Sequence, residues 1–152
     1  MTAATARPAR TPKRQYACLP WRRSKRGVEI LLVTTLTTRR WIIPKGWPVE
    51  NCTPNECAAY EALEEAGVIG TVATRVLGSF RYDKLRKSGK VVPCKVDVFP
   101  MEVVTQRRKW AERGRRELRW CTCDEAIELI GDVGLQRLIT KFARLAVAPT
   151  ES

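Results

Sequence analysis

The chain of 152 residues contains no histidine. A zinc site would then need paired Cys-x-x-Cys knuckles, and the six cysteines offer only Cys121-Thr-Cys123. Scattered cysteines with no secretion signal point instead to reduced thiols. The first fifteen residues, "MTAATARPARTPKRQ", lack the apolar segment of a secretory signal. Their Arg-rich, acid-free composition resembles an organelle transit peptide, but a flexible basic arm over 1–12 is the preferred reading, with a cytoplasmic location. No apolar run approaches the ~20 residues that a membrane helix needs, so no span is expected. Internal repeats and Gly/Ser-rich linkers are also lacking, which leaves a single domain over 13–148 and a short tail at 149–152.

Two further absences concern charge. No acidic residue precedes Glu29, while Arg7, Arg10, Lys13, Arg14, Arg22, Arg23, Lys25 and Arg26 all do. Conversely, no Lys or Arg lies between Gly46 and Thr74, where Glu50, Glu56, Glu61, Glu64 and Glu65 fall. A second basic block runs from Arg107 to Arg119. The formal net charge of +12 implies an anionic partner: nucleic acid, a phosphorylated small molecule or an acidic membrane surface. Such a protein nevertheless sets aside one acidic cluster.

"YACLPW" and "VEILLVTTL" read as strands joined by the basic turn "RRSKRG", and "RRWIIPKGWP" as a short strand ending in a loop. A helix is expected over 54–66. Thr53 and Glu56 would form a capping box, Pro54 suits the first helical position, and Gly67 suits the left-handed position that ends it. A strand over about 71–82, a hairpin at Ser88-Gly89 and a strand with Val92, Cys94, Val96 and Val98 on one side follow. A final helical region breaks near Gly131 to Gly134. Strands, helix, strands, helix make an α/β (α+β) sandwich.

Along the central helix, Ala59, Ala62, Leu63 and Ala66 make an apolar face, and Glu61, Glu64 and Glu65 fall within about 100° of arc on the opposite side. The usual reading of such glutamates is a solvated face. Here the positions four residues away offer no cation to offset their repulsion, and a divalent ion such as Mg²⁺ or Mn²⁺ with hard oxygen ligands would do so.

Read in full, "GWPVENCTPNECAAYEALEEAGV" resembles the signature of the Nudix hydrolases. Gly46, Glu61, Glu64, Glu65, Gly67 and Val68 stand at the signature's spacing. Cys52 stands where its first Glu is expected, and Tyr60 where its Arg is expected. "KRQYACLPWR" and "RRELRWCTCDEAIELI" are similar to flanking segments of the diphosphoinositol polyphosphate phosphohydrolase branch. The resemblance implies an α/β/α sandwich with a mixed central sheet. It also implies Mg²⁺- or Mn²⁺-dependent hydrolysis of a phosphoanhydride bond, in a diphosphoinositol polyphosphate or a dinucleoside polyphosphate. Glu61, Glu64 and Glu65 would be the catalytic and metal-binding residues, with the Gly46 carbonyl as a further ligand. Lys13, Arg14, Arg39, Arg40 and Lys45 would contact phosphates, and Glu117 would be an additional acid near the site. Trp41, Trp47 and Trp110 would stack on a base or serve in packing. The alternatives are a pyrophosphohydrolase of nucleoside diphosphate derivatives or capped RNA, and a non-catalytic basic module that binds RNA or another anion.

Overall fold

The computed structural model describes residues 11–147. Residues 1–10 of the basic arm and the tail at 149–152 lie outside them. The order of elements is β1 (Lys13–Ser24), β2 (Gly27–Thr34), β3 (Trp41–Ile42), β4 (Lys45–Gly46), α1 (Pro54–Ala66), β5 (Val68–Val72), β6 (Gly78–Leu85), β7 (Val91–Gln106), β8 (Leu118–Thr122), α2 (Cys123–Leu129) and α3 (Val133–Val147).

The eight strands of the described residues join one sheet whose main path is β3-β2-β1-β7-β5, with β4 on β1, β6 on β7 and β8 on β2. The β1–β7 pair is parallel, from Lys13 opposite Cys94 to Trp21 opposite Glu102, and the other pairs are antiparallel. Successive side chains of a strand point to opposite faces, and the central strands are apolar on both. Ala17, Leu19, Ile30, Leu32, Val96 and Val98 pack with Leu135, Ile139 and Phe142 of α3. Cys18, Leu31, Val33, Phe99 and Met101 face the other way, onto Ala58, Ala62 and Ala66 of α1. The result is the expected three-layer sandwich on a mixed sheet.

Several boundaries differ from the sequence reading. The segment "RRSKRG" is mostly strand: Arg22 and Arg23 pair opposite Glu29 and Val28, and only Lys25 and Arg26 form the turn before Gly27. Gly27 takes the positive φ of 94° that such a tight turn requires. The single strand expected over 71–82 is two strands. At Gly70 the register shifts, and the backbone lies so close to β7 that an added Cβ would stand 1.9 Å from the Glu102 carbonyl. The chain leaves the ladder after Val72 and rejoins β7 at Gly78. Thr53 also does not cap α1 with its side chain; its hydroxyl donates to Asn55 Oδ1 at 2.7 Å instead. The other end is as expected: Gly67 has φ 69° and its N–H bonds Leu63 and Ala62 carbonyls.

Candidate active site

The helix α1 lies against the sheet through small residues, Ala58, Ala62 and Ala66, so its backbone approaches closely. Ala58 and Glu65 are seven residues apart and share a side of the helix. The buried stripe is therefore Cys57, Ala58, Ala62, Glu65 and Ala66, while Ala59 and Leu63 are only half-buried. This corrects the expectation of three glutamates on a common outer face. Glu65 is only 5% exposed and points into the protein.

A cation does reach it, from far along the chain. Arg116 Nη2 lies 3.3 Å from Glu65 Oε1 and 3.2 Å from Glu112 Oε1, and Nη1 donates to the Thr34 carbonyl at 3.0 Å. The Lys45 amide donates to Glu65 Oε2 at 3.3 Å. Two opposing influences act on this carboxyl: burial raises its pKa and the guanidinium lowers it. Burial prevails, and the group is pushed up to about 8.

Glu61 and Glu64 are half-buried. Burial first, then the charges of Glu64 and Glu112, raise the Glu61 pKa. Its carboxylate lies against Gly46: a Cβ there would stand 2.2 Å from Glu61 Oε1 and 2.8 Å from Oε2. Glu112 is the acid the sequence reading missed. Its amide bonds the Glu64 carbonyl at 3.1 Å, which carries its side chain to the cluster. The expected extra acid, Glu117, has an exposed side chain, and its backbone pairs with Thr34. Position along the basic block could not separate the two acids, because the turn over 111–116 decides which one faces α1.

The donors suit a hard divalent cation in chemistry. The charge of the Glu61 carboxylate is disfavoured by Glu64 and Glu112, and Gly46 leaves the cradle beside Glu61 that a Cβ would fill. Among the described residues no three acidic, histidine or cysteine side chains already converge as a cage, and Glu65 is turned to Arg116. Two or three carboxylates would be drawn together on binding.

Of the phosphate-contact candidates, Lys45 stands closest to this centre. Its Nζ donates to Tyr82 Oη at 2.9 Å, and that hydroxyl donates to the buried Gln15 Oε1 at 2.6 Å. Burial, then the nearby Lys84 charge, pull the Lys45 pKa down to about 8. Arg40 lines a cavity of about 260 Å³ with Trp41, Tyr82 and Asp132. Arg39 is occupied by the Arg115 carbonyl at 2.9 Å, and Arg14 by Asp97 at 2.5 Å. Lys13 stands at the far end of β1, beside Arg86 and Lys90. Trp47 carries Lys84 Nζ 5.0 Å from its ring centre. Trp110 packs on Gly67, so of the three tryptophans only Trp41 lines that cavity. Tyr60, in place of the signature Arg, is half exposed, and Cys52 is exposed.

The profile described as NUDIX domain matches residues 11–142. The chain is 34% identical over 123 residues to "Nudix hydrolase 12, mitochondrial" of Arabidopsis thaliana, spanning 78% of this chain and 60% of that protein. It is 33% identical over 122 residues to "Diphosphoinositol polyphosphate phosphohydrolase 3-alpha" of Mus musculus, spanning 78% of this chain and 69% of the other. In fold it is similar to a C. elegans Ap4A hydrolase, with a TM-score of 0.65 at 18% identity over 89% of this chain and 98% of the other. With the profile spanning almost all of the described sandwich and the signature spacing intact around Glu61, Glu64 and Glu65, the chain belongs to the NUDIX domain family.

Proposed function

We propose that the protein is a metal-dependent pyrophosphohydrolase that cleaves a phosphoanhydride bond in an anionic, polyphosphorylated small molecule, such as a dinucleoside polyphosphate or a diphosphoinositol polyphosphate. The observation that carries this reading is the Glu61 carboxylate lying against Gly46 within the field of Glu64 and Glu112, with Lys45 and Arg116 on either side of Glu65. Mg²⁺ or Mn²⁺, when bound, would supply positive charge against the phosphate chain and lower the pKa of the attacking water.

The chain's own residues divide the remaining work. Glu61, Glu64 and the Gly46 carbonyl would hold the cation, with Glu65 and Glu112 as neighbouring acids. Glu61, whose carboxylate lies against Gly46, takes the proton of the attacking water. The water oxygen bonds to phosphorus, the bridging P–O bond breaks, and the departing phosphate leaves with the electron pair. Lys45 contacts a phosphate beside the reacting one, and a phosphate there would restore the full charge that burial depresses. A cytoplasmic location is part of the same proposal; fractionation of tagged protein checks it against the mitochondrial location in the Arabidopsis relative's name.

The test is product release from a panel of polyphosphates with and without Mg²⁺ or Mn²⁺, for wild type, Glu64→Gln and Glu65→Gln. Metal-dependent turnover that falls by roughly 100-fold or more in both variants is expected. No turnover on any substrate, with anion binding intact, would leave a non-catalytic binding module instead.

A further inference from the structure

Arg116 is the arginine most deeply committed to the centre. Arg14, Arg22, Arg26 and Arg119 also form ion pairs, but 41–52% of each side chain is exposed, and such pairs contribute little. The Arg116 side chain is only 12% exposed. All three of its guanidinium nitrogens are engaged. Nε and Nη2 donate to Glu112 Oε1 at 3.3 and 3.2 Å, Nη2 lies 3.3 Å from Glu65 Oε1, and Nη1 donates to the Thr34 carbonyl at 3.0 Å.

These contacts fall on carboxylates beside the cradle at Gly46. Against the burial that disfavours their charge, Arg116 favours the ionised form of both Glu61 and Glu65. A divalent ion drawn to the same acids would do the same. Both oxygens of Glu65 already have partners, Oε1 in Arg116 and Oε2 in the Lys45 amide. The amide is a neutral donor, whereas the guanidinium carries a full positive charge and has no acceptor of its own. A second cation on these acids meets that charge at close range, where little water screens it. Each cation weakens the other's hold, and such a coupling is reciprocal.

We propose that Arg116 is a built-in competitor of the divalent cation: a positioning residue that holds Glu65 and Glu112 by its own charge, yields them as the ion binds, and so sets how tightly the centre takes Mg²⁺ or Mn²⁺. This rests on the metal-dependent reading of the Glu61–Glu65 centre and adds what governs its affinity for metal. The competition has a definite sign. A group that only supports a ligand from behind lowers metal affinity by about 10–100-fold when it is removed. Removing a competitor raises it.

The experiment is Mn²⁺ binding by calorimetry, at one fixed pH, for wild type, Arg116→Ala, Arg116→Gln and Arg116→Lys. The two neutral variants should bind Mn²⁺ roughly 10-fold more tightly than wild type, and Arg116→Lys, which keeps the charge, should stay within about threefold of it. Urea unfolding supplies the reciprocal measurement. The stability lost in Arg116→Gln should be smaller in saturating Mn²⁺ than in EDTA, by about 1.4 kcal/mol for a tenfold gain in affinity. A role in packing alone would leave that loss the same in both. Wild type gives a third readout that needs no variant. Modification of Arg116 by phenylglyoxal, followed by peptide mass spectrometry, should quicken several-fold on adding Mn²⁺, while Arg14, held by Asp97, serves as the unchanged control. Unchanged or weaker Mn²⁺ binding in the neutral variants overturns the competition, as does an equal stability loss with and without the ion, or an Arg116 that Mn²⁺ leaves as protected as before. Failure of all four proteins to bind Mn²⁺ would overturn the metal-dependent reading as well, whereas binding that is blind to Arg116 overturns the competition alone.

Discussion

Glycine and glutamate face each other across the centre at Gly46 and Glu61, and neither explains the other's identity alone. A methyl group at position 46 would meet the end of the Glu61 side chain, which can swing away, and the φ of Gly46 imposes no special demand. Gly46→Ala should therefore fold with a nearly unchanged melting temperature while its metal-dependent kcat/KM falls by roughly 10-fold or more, as expected when a positioned carboxylate is displaced. Equal losses of stability and activity would count against a positioning role. Glu65 makes a different prediction, about pH. Its carboxyl loses its proton near 4.5 when unfolded and near 8 when folded. Between those values the folded state holds more protons than the unfolded one, so stability falls as pH rises through the window. In EDTA, the wild-type melting temperature should decline between about pH 5 and about pH 8, by about 2–4 °C for each kcal/mol lost. Glu65→Gln, which cannot ionise, should flatten that decline, and parallel curves for the two proteins would refute the assignment.

The helix α1 and the turn that covers it act as one unit. Gly67 combines a left-handed φ with the Trp110 indole, which an added Cβ would meet at 2.5 Å. Gly67→Ala should cost about 1–3 kcal/mol, read by denaturant unfolding, where Gly46→Ala costs little. Arg116 fastens the same turn to α1 and β2 through Glu65, Glu112 and Thr34. Arg116→Ala leaves the buried Glu65 without its cation and should cost about 2–4 kcal/mol at a pH above 8. Because Glu65 can take up a proton, the cost should shrink at about pH 6. Lysine at 116 lacks the planar fork that reaches three acceptors and should not restore the stability. Much of this unit could be read from the chain: Pro54 and Gly67 mark the helix ends, and the signature spacing marks Glu61, Glu64 and Glu65. What could not be read were the contacts made by the loop. Arg116 and Glu112 lie some fifty residues away from the glutamates they meet, in a run of charges where spacing carries no period. The rotation of α1 that buries Glu65 follows from the closeness of Ala58 and Ala62 to the sheet, a matter of packing. The division of the 71–82 segment likewise depends on pairing between strands: β7 pairs with Val72 and again with Gly78, and the residues between leave the ladder.

Across the whole molecule, charge is segregated twice, once along the chain and once in space. The net charge of +12 is divided between cations far from the centre, such as Lys25 at the tip of the β1–β2 turn, and cations beside it, such as Lys45. The two populations should affect catalysis over different distances. Lys25 sits at the tip of the β1–β2 turn, eight residues along β1 from Ala17, which pairs with Lys45. That is roughly 26 Å from the centre by strand length, well beyond the ~8 Å screening distance at physiological ionic strength but within the ~30 Å distance at about 0.01 M. Lys25→Glu lowers the net charge by two, from +12 to +10. If substrate is guided by the field of the whole molecule, this variant should lose kcat/KM at low salt and match wild type at physiological salt. Lys45→Ala, beside the centre, should be impaired at both, because contact with a phosphate is screened far less than distant attraction. Measuring kcat/KM for a multiply phosphorylated substrate across that range separates the two contributions. A Lys25 variant as impaired as the Lys45 variant at physiological salt would mean that the charge acts as an undivided whole, and that Lys45 has no privileged place in binding.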